Sequence, residues 1–326
     1  MRRGGIAAAG GGVAGSMKGI AQNEFGSADV LSVQDLPDPL VGPDSVLIRV
    51  RAAGVNPVDY KIREGYLKGL LPHYFPIVPG WDVAGVVEAT GPAAAGGLRP
   101  GDEVVAYARK DYVQHGTYAE LVAVPDRGVA RKPASLDFAH AAGLPLAGLT
   151  ALQALRAAEV GEGATVLVHA ASGGVGHLAV QIARALGAGR VIGTASEGNH
   201  DFLRSLGAEP VRYGDGLPDR LAALVGGDGR VDAALDFVGG QALEQSPELV
   251  RDPARVVSIV DPSVLARGGR YVFVRPDAAQ LGWLGELADA GRLRVEVQRT
   301  FALGDAAEAH RTLEGGHVRG KLVLTV

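Results

Sequence analysis

Residues 165–188 read TVLVHAASGGVGHLAVQIARALGA. An apolar run of the buried-strand type, 165–169, feeds a loop of small residues, and an apolar-periodic stretch over 175–186 begins at once. A pyrophosphate approaches the backbone only where side chains are missing. A helix start behind the loop supplies free N–H groups and the positive end of a dipole. Gly173 and Gly174 allow the close approach, Gly176 lets the helix pack on the strand, and Ser172 and Val175 complete the loop. Ala171 stands where the G-x-G-x-x-G pattern has its first glycine, so the bare pattern is imperfect. The order strand, glycine loop, helix is the context that makes it a dinucleotide site.

Downstream, strands are expected at 190–194, 209–213, 231–237, 255–260 and 270–274, with helices at 201–206, within 218–225 and near 241–250. Such alternation indicates a parallel, doubly wound sheet with helices on both faces. The last part predicts a helix near 278–290, a strand at 293–298, a helix at 305–313 and a final strand at 322–326, returning to complete the first domain. Upstream, residues 17–136 read as short strands, 46–50, 83–89 and 103–107 among them, separated by turn signals such as GPAAAGG and RPGD. The expected organisation is α/β: a mostly-β domain over 17–137, a cofactor domain over 138–276, and a C-terminal segment over 277–326. The Gly/Ala-rich residues 1–16 are expected to be a disordered extension.

The second strand ends Gly193-Thr194-Ala195-Ser196. A carboxylate there would bond the ribose 2′-OH of NAD and repel the 2′-phosphate of NADP. Ala195 removes that repulsion, and Thr194 and Ser196 leave small hydroxyls. Asn199, Tyr213 and Arg319 are further candidates to hold the phosphate, so NADP(H) is the expected cofactor.

Composition bounds the alternatives. A length of 326 residues suits two domains, and 47% hydrophobic with 21% charged residues supplies two ordinary cores. The net charge of −4, with both signs mixed, offers no basic face to nucleic acid. No run reaches 18 apolar residues, so no membrane span is expected. The absence of cysteine excludes disulfides, thiolate nucleophiles and cysteine-built zinc sites, and suits a cytoplasmic protein. Residues 1–16 lack the apolar core of a signal peptide.

Four stretches in order resemble the zinc-free quinone and enone oxidoreductases of the medium-chain dehydrogenase/reductase superfamily. They are NPVDYKIREG (56–65), VPGWDVAGVVEATGP (78–92), GDEVVAYA with GTYAELVAVP (101–125), and AAGLPLAGLTALQAL running into the glycine loop. The resemblance implies a GroES-like catalytic domain, a Rossmann cofactor domain and a site in the cleft between them. It implies that Gly173, Gly174, Val175 and Gly176 hold the pyrophosphate and that Ser196 and Tyr213 meet the adenosine end. It also implies that Val238 and the strand end Ser258, Ile259 and Val260 lie along the ribose and nicotinamide, with His317 and Val318 approaching the cofactor. Zinc-dependent members carry Gly-His-Glu where this chain reads Gly80-Trp81-Asp82, so no catalytic zinc is expected. Arg251-Asp252-Pro253 departs from the Gly-Gly usual at that place.

On residue chemistry alone, Asn56-Pro57-Val58-Asp59-Tyr60-Lys61 is a turn and helix start, with Pro57 fixing φ and Asp59 capping. In the family this segment lines the cleft, and Asn56 and Lys61 contact cofactor and substrate. Lys61 stands where many quinone-reducing members have Tyr, which tilts the expected substrate toward enones. The implied chemistry is hydride transfer to the β-carbon of an α,β-unsaturated carbonyl. Asn56, Tyr60 or Lys61 would stabilise the developing oxyanion, and Tyr60 or water would supply the proton. The alternatives are a quinone reductase, a tailoring enoyl reductase and a non-catalytic NADPH-binding protein. His169 and His177 read as packing or capping residues, Trp81 as core, and His73 and His115 as loop residues near the cleft. The resemblance also implies that the strand at 270–274 could pair edge to edge across a homodimer, with a monomer as the alternative.

Overall fold

The strand Thr165–Val168 lies at the centre of a six-stranded parallel sheet in the computed structural model, which describes residues 15–326. Across the sheet the order is Glu209–Arg212, Arg190–Ala195, Thr165–Val168, Ala233–Asp236, Val256–Ser258 and Arg270–Tyr271. All neighbours run parallel. The winding reverses after the third strand of that order, which opens a crevice at the carboxyl ends. Val166 and Val168 face one buried cluster, shared with helices Pro145–Ala157 and Gly176–Ala185. Leu167 faces the other, beneath helices Leu217–Val225 and Gln241–Leu249. Burial on both faces is why the strand reads as a continuous apolar run.

The second sheet is mixed and seven-stranded. Its path runs Val297–Ala302, Lys321–Thr325, Ser45–Val55, Asp82–Thr90, Glu103–Tyr107 and Val129–Arg131, with Leu121–Pro125 paired to Ser45–Val55. The final strand lies antiparallel to Ser45–Val55 with Leu322 opposite Val55. The end of the chain thus returns from the cofactor sheet and enters this one beside Asn56.

Several elements differ from expectation for identifiable reasons. Helix Pro145–Ala157 carries no period-3.6 signal because nearly its whole surface is buried, polar Thr150 included. The strand expected at 293–298 is Val297–Ala302: Leu293 and Val295 alternate into the core, but pairing begins only at Val297 opposite Lys321. The strand expected at 255–260 is Val256–Ser258, because Asp252 caps a 3-10 turn, Pro253–Arg255, just before it. The strand expected at 270–274 shortens to Arg270–Tyr271. Ser16 already opens the first strand, while residues 1–14 of the expected extension lie outside the described residues.

Candidate active site

The glycine loop is a cradle that side chains would fill. A Cβ on Gly176 would lie 2.2 Å from the Ala170 carbonyl oxygen and 2.6 Å from Ala171 Cα. Helix Gly176–Ala185 can therefore start this close to the strand only at a glycine. A Cβ on Gly174 would come 3.2 Å from Lys321 Cδ, and one on Gly173 3.4 Å from the Ala170 oxygen. The imperfect motif also has a physical account: Gly193 on the second strand leaves room for the Ala171 methyl, which a Cβ there would meet at 2.7 Å. Ala170 and Ala171 donate to Thr194, at the hydroxyl and the carbonyl respectively. Ser172 accepts from the Gly320 N–H at 2.9 Å.

At the end of the second strand, Ala195 is buried and Ser196 exposed. Asn199 donates from Nδ2 to the Ser196 hydroxyl at 3.2 Å, and Arg319 donates from Nε to Asn199 Oδ1 at 2.7 Å. The guanidinium lies over Phe202, 5.2 Å from the ring centroid. Ala195 pairs with Arg212, which places exposed Tyr213 one residue beyond, level with Ser196. A cation, an amide and a hydroxyl thus converge where an acid would exclude a 2′-phosphate, and the donor set fits that group.

At the carboxyl end of Ala233–Asp236, the Asp236 carboxylate collects the N–H groups of Val238 and Gly239 and the Ser258 hydroxyl, the last at 2.7 Å. Ser258 is fully buried and organises this rim through Asp236, whereas Val238 and Val260 are exposed on it. His317 takes a positive φ of 63° and is exposed, and half-buried Val318 packs on the core of the mixed sheet.

Asn56 precedes helix Pro57–Arg63, with Pro57 at its first position. Asp59 accepts the Asn56 N–H at 2.8 Å and the Tyr118 hydroxyl at 2.9 Å. The Asn56 side chain does not cap: it donates from Nδ2 to Asp82 at 2.9 Å, and its Oδ1 accepts from Lys321. Lys321 also meets the Val55 oxygen at 3.2 Å and Asp82 at 3.7 Å, and all three polar side chains are buried. Tyr60 and Lys61 are half-buried, and neither bonds to another described side chain. Burial above all, then Glu314 and Glu64, raises the Tyr60 hydroxyl, so it keeps its proton at neutral pH.

Residues 206–324 match the zinc-binding dehydrogenase family and residues 42–134 the alcohol dehydrogenase GroES-like domain family. The 2-methylene-furan-3-one reductase of Solanum lycopersicum is 35% identical over 321 residues, 94% of this chain and 79% of that protein. The chain belongs to the medium-chain dehydrogenase/reductase superfamily, in its quinone oxidoreductase-like branch. The NADPH-dependent alkenal/one oxidoreductase of Arabidopsis thaliana chloroplasts matches with the same identity and coverage. A quinone oxidoreductase structure from Coxiella burnetii superposes with a TM-score of 0.83 at 37% identity, over 96% of this chain and 100% of that one. The protein is thus an oxidoreductase enzyme.

In this quinone oxidoreductase-like enzyme, Gly80 and Trp81 serve the fold, and Asp82 joins it to Asn56. Gly80 has a φ of 91°, Trp81 is buried edge-on to Tyr107, and Asp82 also accepts the Leu146 N–H at 2.7 Å. Among the described residues, no group of three or more His, Asp or Glu is placed to hold a metal. His177 accepts the Glu296 N–H at Nε2, so its proton sits on Nδ1 and goes to the Gly173 oxygen. Burial lowers His177 to about 4, and it braces the glycine loop as a neutral ring. His169 bonds to Ser246 and is likewise pushed down to about 4 by burial. His73 sits beside Phe25, and His115 lines a small cavity with Trp81 and Lys110.

Sequence reasoning missed Lys321 and gave Asp82 no role beyond a missing zinc motif. The available signal was a lysine heading the apolar run LVL, 322–324, where an apolar residue is the norm.

Proposed function

We propose that this enzyme uses NADPH, without a metal, to reduce the carbon–carbon double bond of an α,β-unsaturated ketone or aldehyde. The observation that carries the cofactor reading is the convergence of Arg319, Asn199 and Ser196 on a strand end that carries Ala195 in place of an acid. Gly173, Gly174, Gly176 and Ser172 would hold the pyrophosphate, and Val238, Ile259 and Val260 would border the ribose and nicotinamide. Bound NADPH supplies the hydride that forms the new C–H bond at the substrate β-carbon. Asn56, Tyr60 or Lys61 would then donate to the carbonyl oxygen as negative charge develops there. The α-carbon takes its proton from Tyr60 or water, which completes the saturated carbonyl. The names of the tomato and Arabidopsis relatives, and Lys61 in place of the tyrosine of quinone-reducing members, support the enone over the quinone reading. The absence of cysteine fits a reducing compartment such as the cytoplasm, and the edge strand Arg270–Tyr271 suits pairing with a second copy.

The test is NADPH oxidation, followed at the nicotinamide absorbance, with a panel of enones, enals and benzoquinones, each repeated with NADH. Saturated carbonyl products formed with NADPH support the reading. Turnover of quinones alone favours the quinone reductase, and equal use of NADH contradicts the account of the 2′-phosphate.

A further inference from the structure

Arg319, Gly320 and Lys321 are consecutive, yet each touches a different part of the site. Arg319 reaches Asn199 at the adenosine end, and the Gly320 N–H bonds the Ser172 carbonyl of the glycine loop. Lys321 lays its stem against Gly174 and turns its ammonium toward Asn56. Gly320 makes this crossing possible, since it takes a φ of 68° and a Cβ there would lie 2.3 Å from the Glu296 oxygen.

The chemistry of this contact fixes Asn56. Nζ donates to the oxygens of Val55 and Asn56, and the Asp82 carboxylate lies 3.7 Å away as its ion-pair partner. An ammonium has nothing to accept with, so the amide oxygen of Asn56 must face it and the amide nitrogen must face Asp82. Among the described residues only Asp82 accepts from Nδ2, which leaves the second amide hydrogen without a protein partner. An amide whose oxygen is held by a cation is polarised, and its N–H becomes a stronger donor.

We propose that Lys321 is a positioning residue of the hydride-transfer step: with Asp82 it locks and polarises the Asn56 amide so that the remaining Nδ2 hydrogen serves the reacting oxygen. This rests on the reading of the site as one that reduces the double bond of an unsaturated carbonyl, with negative charge developing on the carbonyl oxygen. The contact with Gly174 ties the same lysine to the cofactor loop, so the two halves of the site share one side chain. Burial lowers the Lys321 ammonium and raises the Asp82 carboxyl, each partner opposing the shift of the other. The pair is supported there by hydrogen bonds from Lys321 to Val55 and Asn56, and by those that Asp82 accepts from Asn56 and Leu146.

The experiment compares Lys321→Met, which keeps the stem against Gly174, with Asn56→Ala and with the double variant. Steady-state turnover uses whichever enone or quinone the wild type reduces, and NADPH affinity and bound-nicotinamide fluorescence are read in parallel. The proposal expects each single variant to lose about 100-fold in kcat with NADPH affinity little changed, and the double variant to lose no more. An unaltered kcat in Lys321→Met, or losses that multiply, overturns it. If Lys321→Met leaves Asp82 unpaired and does not fold, Lys321→Met with Asp82→Asn removes both charges and is expected to show the same loss. If the wild type reduces neither substrate class, the functional reading fails on its own. Lys321 is then judged by fluorescence: Lys321→Met and Asn56→Ala must alter the bound nicotinamide emission alike, and an unaltered spectrum in Lys321→Met overturns the proposal.

Discussion

Arg319 donates from Nε to Oδ1 of Asn199 at 2.7 Å, joining the last segment of the chain to the end of the second parallel strand. The guanidinium is only half-buried and lies over the Phe202 ring, so it stays within reach of a ligand at this strand end. Arg319→Ala is expected to weaken NADPH about tenfold or more while leaving NADH nearly unchanged. Titration of each nucleotide against the two proteins checks this, and equal losses for both would remove Arg319 from phosphate recognition.

The Ala171 methyl occupies space that Gly193 leaves open. Gly193→Ala would place carbon 2.7 Å from Ala171 Cβ and 3.0 Å from Leu203 Cδ1, and is expected to cost about 1–3 kcal/mol of stability. Adding Ala171→Gly relieves the closer of the two contacts. Denaturant unfolding should show partial recovery in the double variant; none would mean that the two positions are not a matched pair.

Asp59 gives a pH dependence of known sign. Burial above all raises its carboxyl from 3.8 to about 7, against the opposing hydrogen bonds from Asn56 and Tyr118. A raised folded value favours the protonated form on folding, so the contribution to stability is whole below 3.8 and is lost as pH climbs to about 7. Asp59→Asn keeps an oxygen to accept from Asn56 and Tyr118 but cannot ionise. Its thermal midpoint, compared with the wild type across this window, should gain ground as pH rises; parallel curves would show that Asp59 does not titrate there.

Lys61 is half-buried and, among the described residues, has no side-chain partner, as a group kept for a ligand would be. Lys61→Ala is expected to lower enone kcat/KM about 100-fold with an unchanged thermal midpoint. Unaltered kcat and KM would take Lys61 out of the reaction.

How much of this was legible in the sequence follows from which residues signal locally. The parallel sheet was readable because strands buried on both faces, such as Thr165–Val168, are continuous apolar runs between helical repeats. Helix Pro145–Ala157 was not, because burial on all sides erases amphipathic periodicity. The glycine loop and Ala195 announced themselves through what they lack. Asn56 was found through its segment, but its partners lie 26 and 265 positions away at Asp82 and Lys321. Only the return of the last strand beside Ser45–Val55 brings them together, and no local pattern encodes that pairing.

Hydride delivery to the β-carbon of an unsaturated carbonyl is tested most directly by isotope transfer. NADPH deuterated at nicotinamide C4 would be reacted with an enone, and the product examined by NMR and mass spectrometry. One deuterium at the β-carbon of a saturated ketone is the predicted result. Deuterium on the former carbonyl carbon of an alcohol, with the double bond intact, would contradict it.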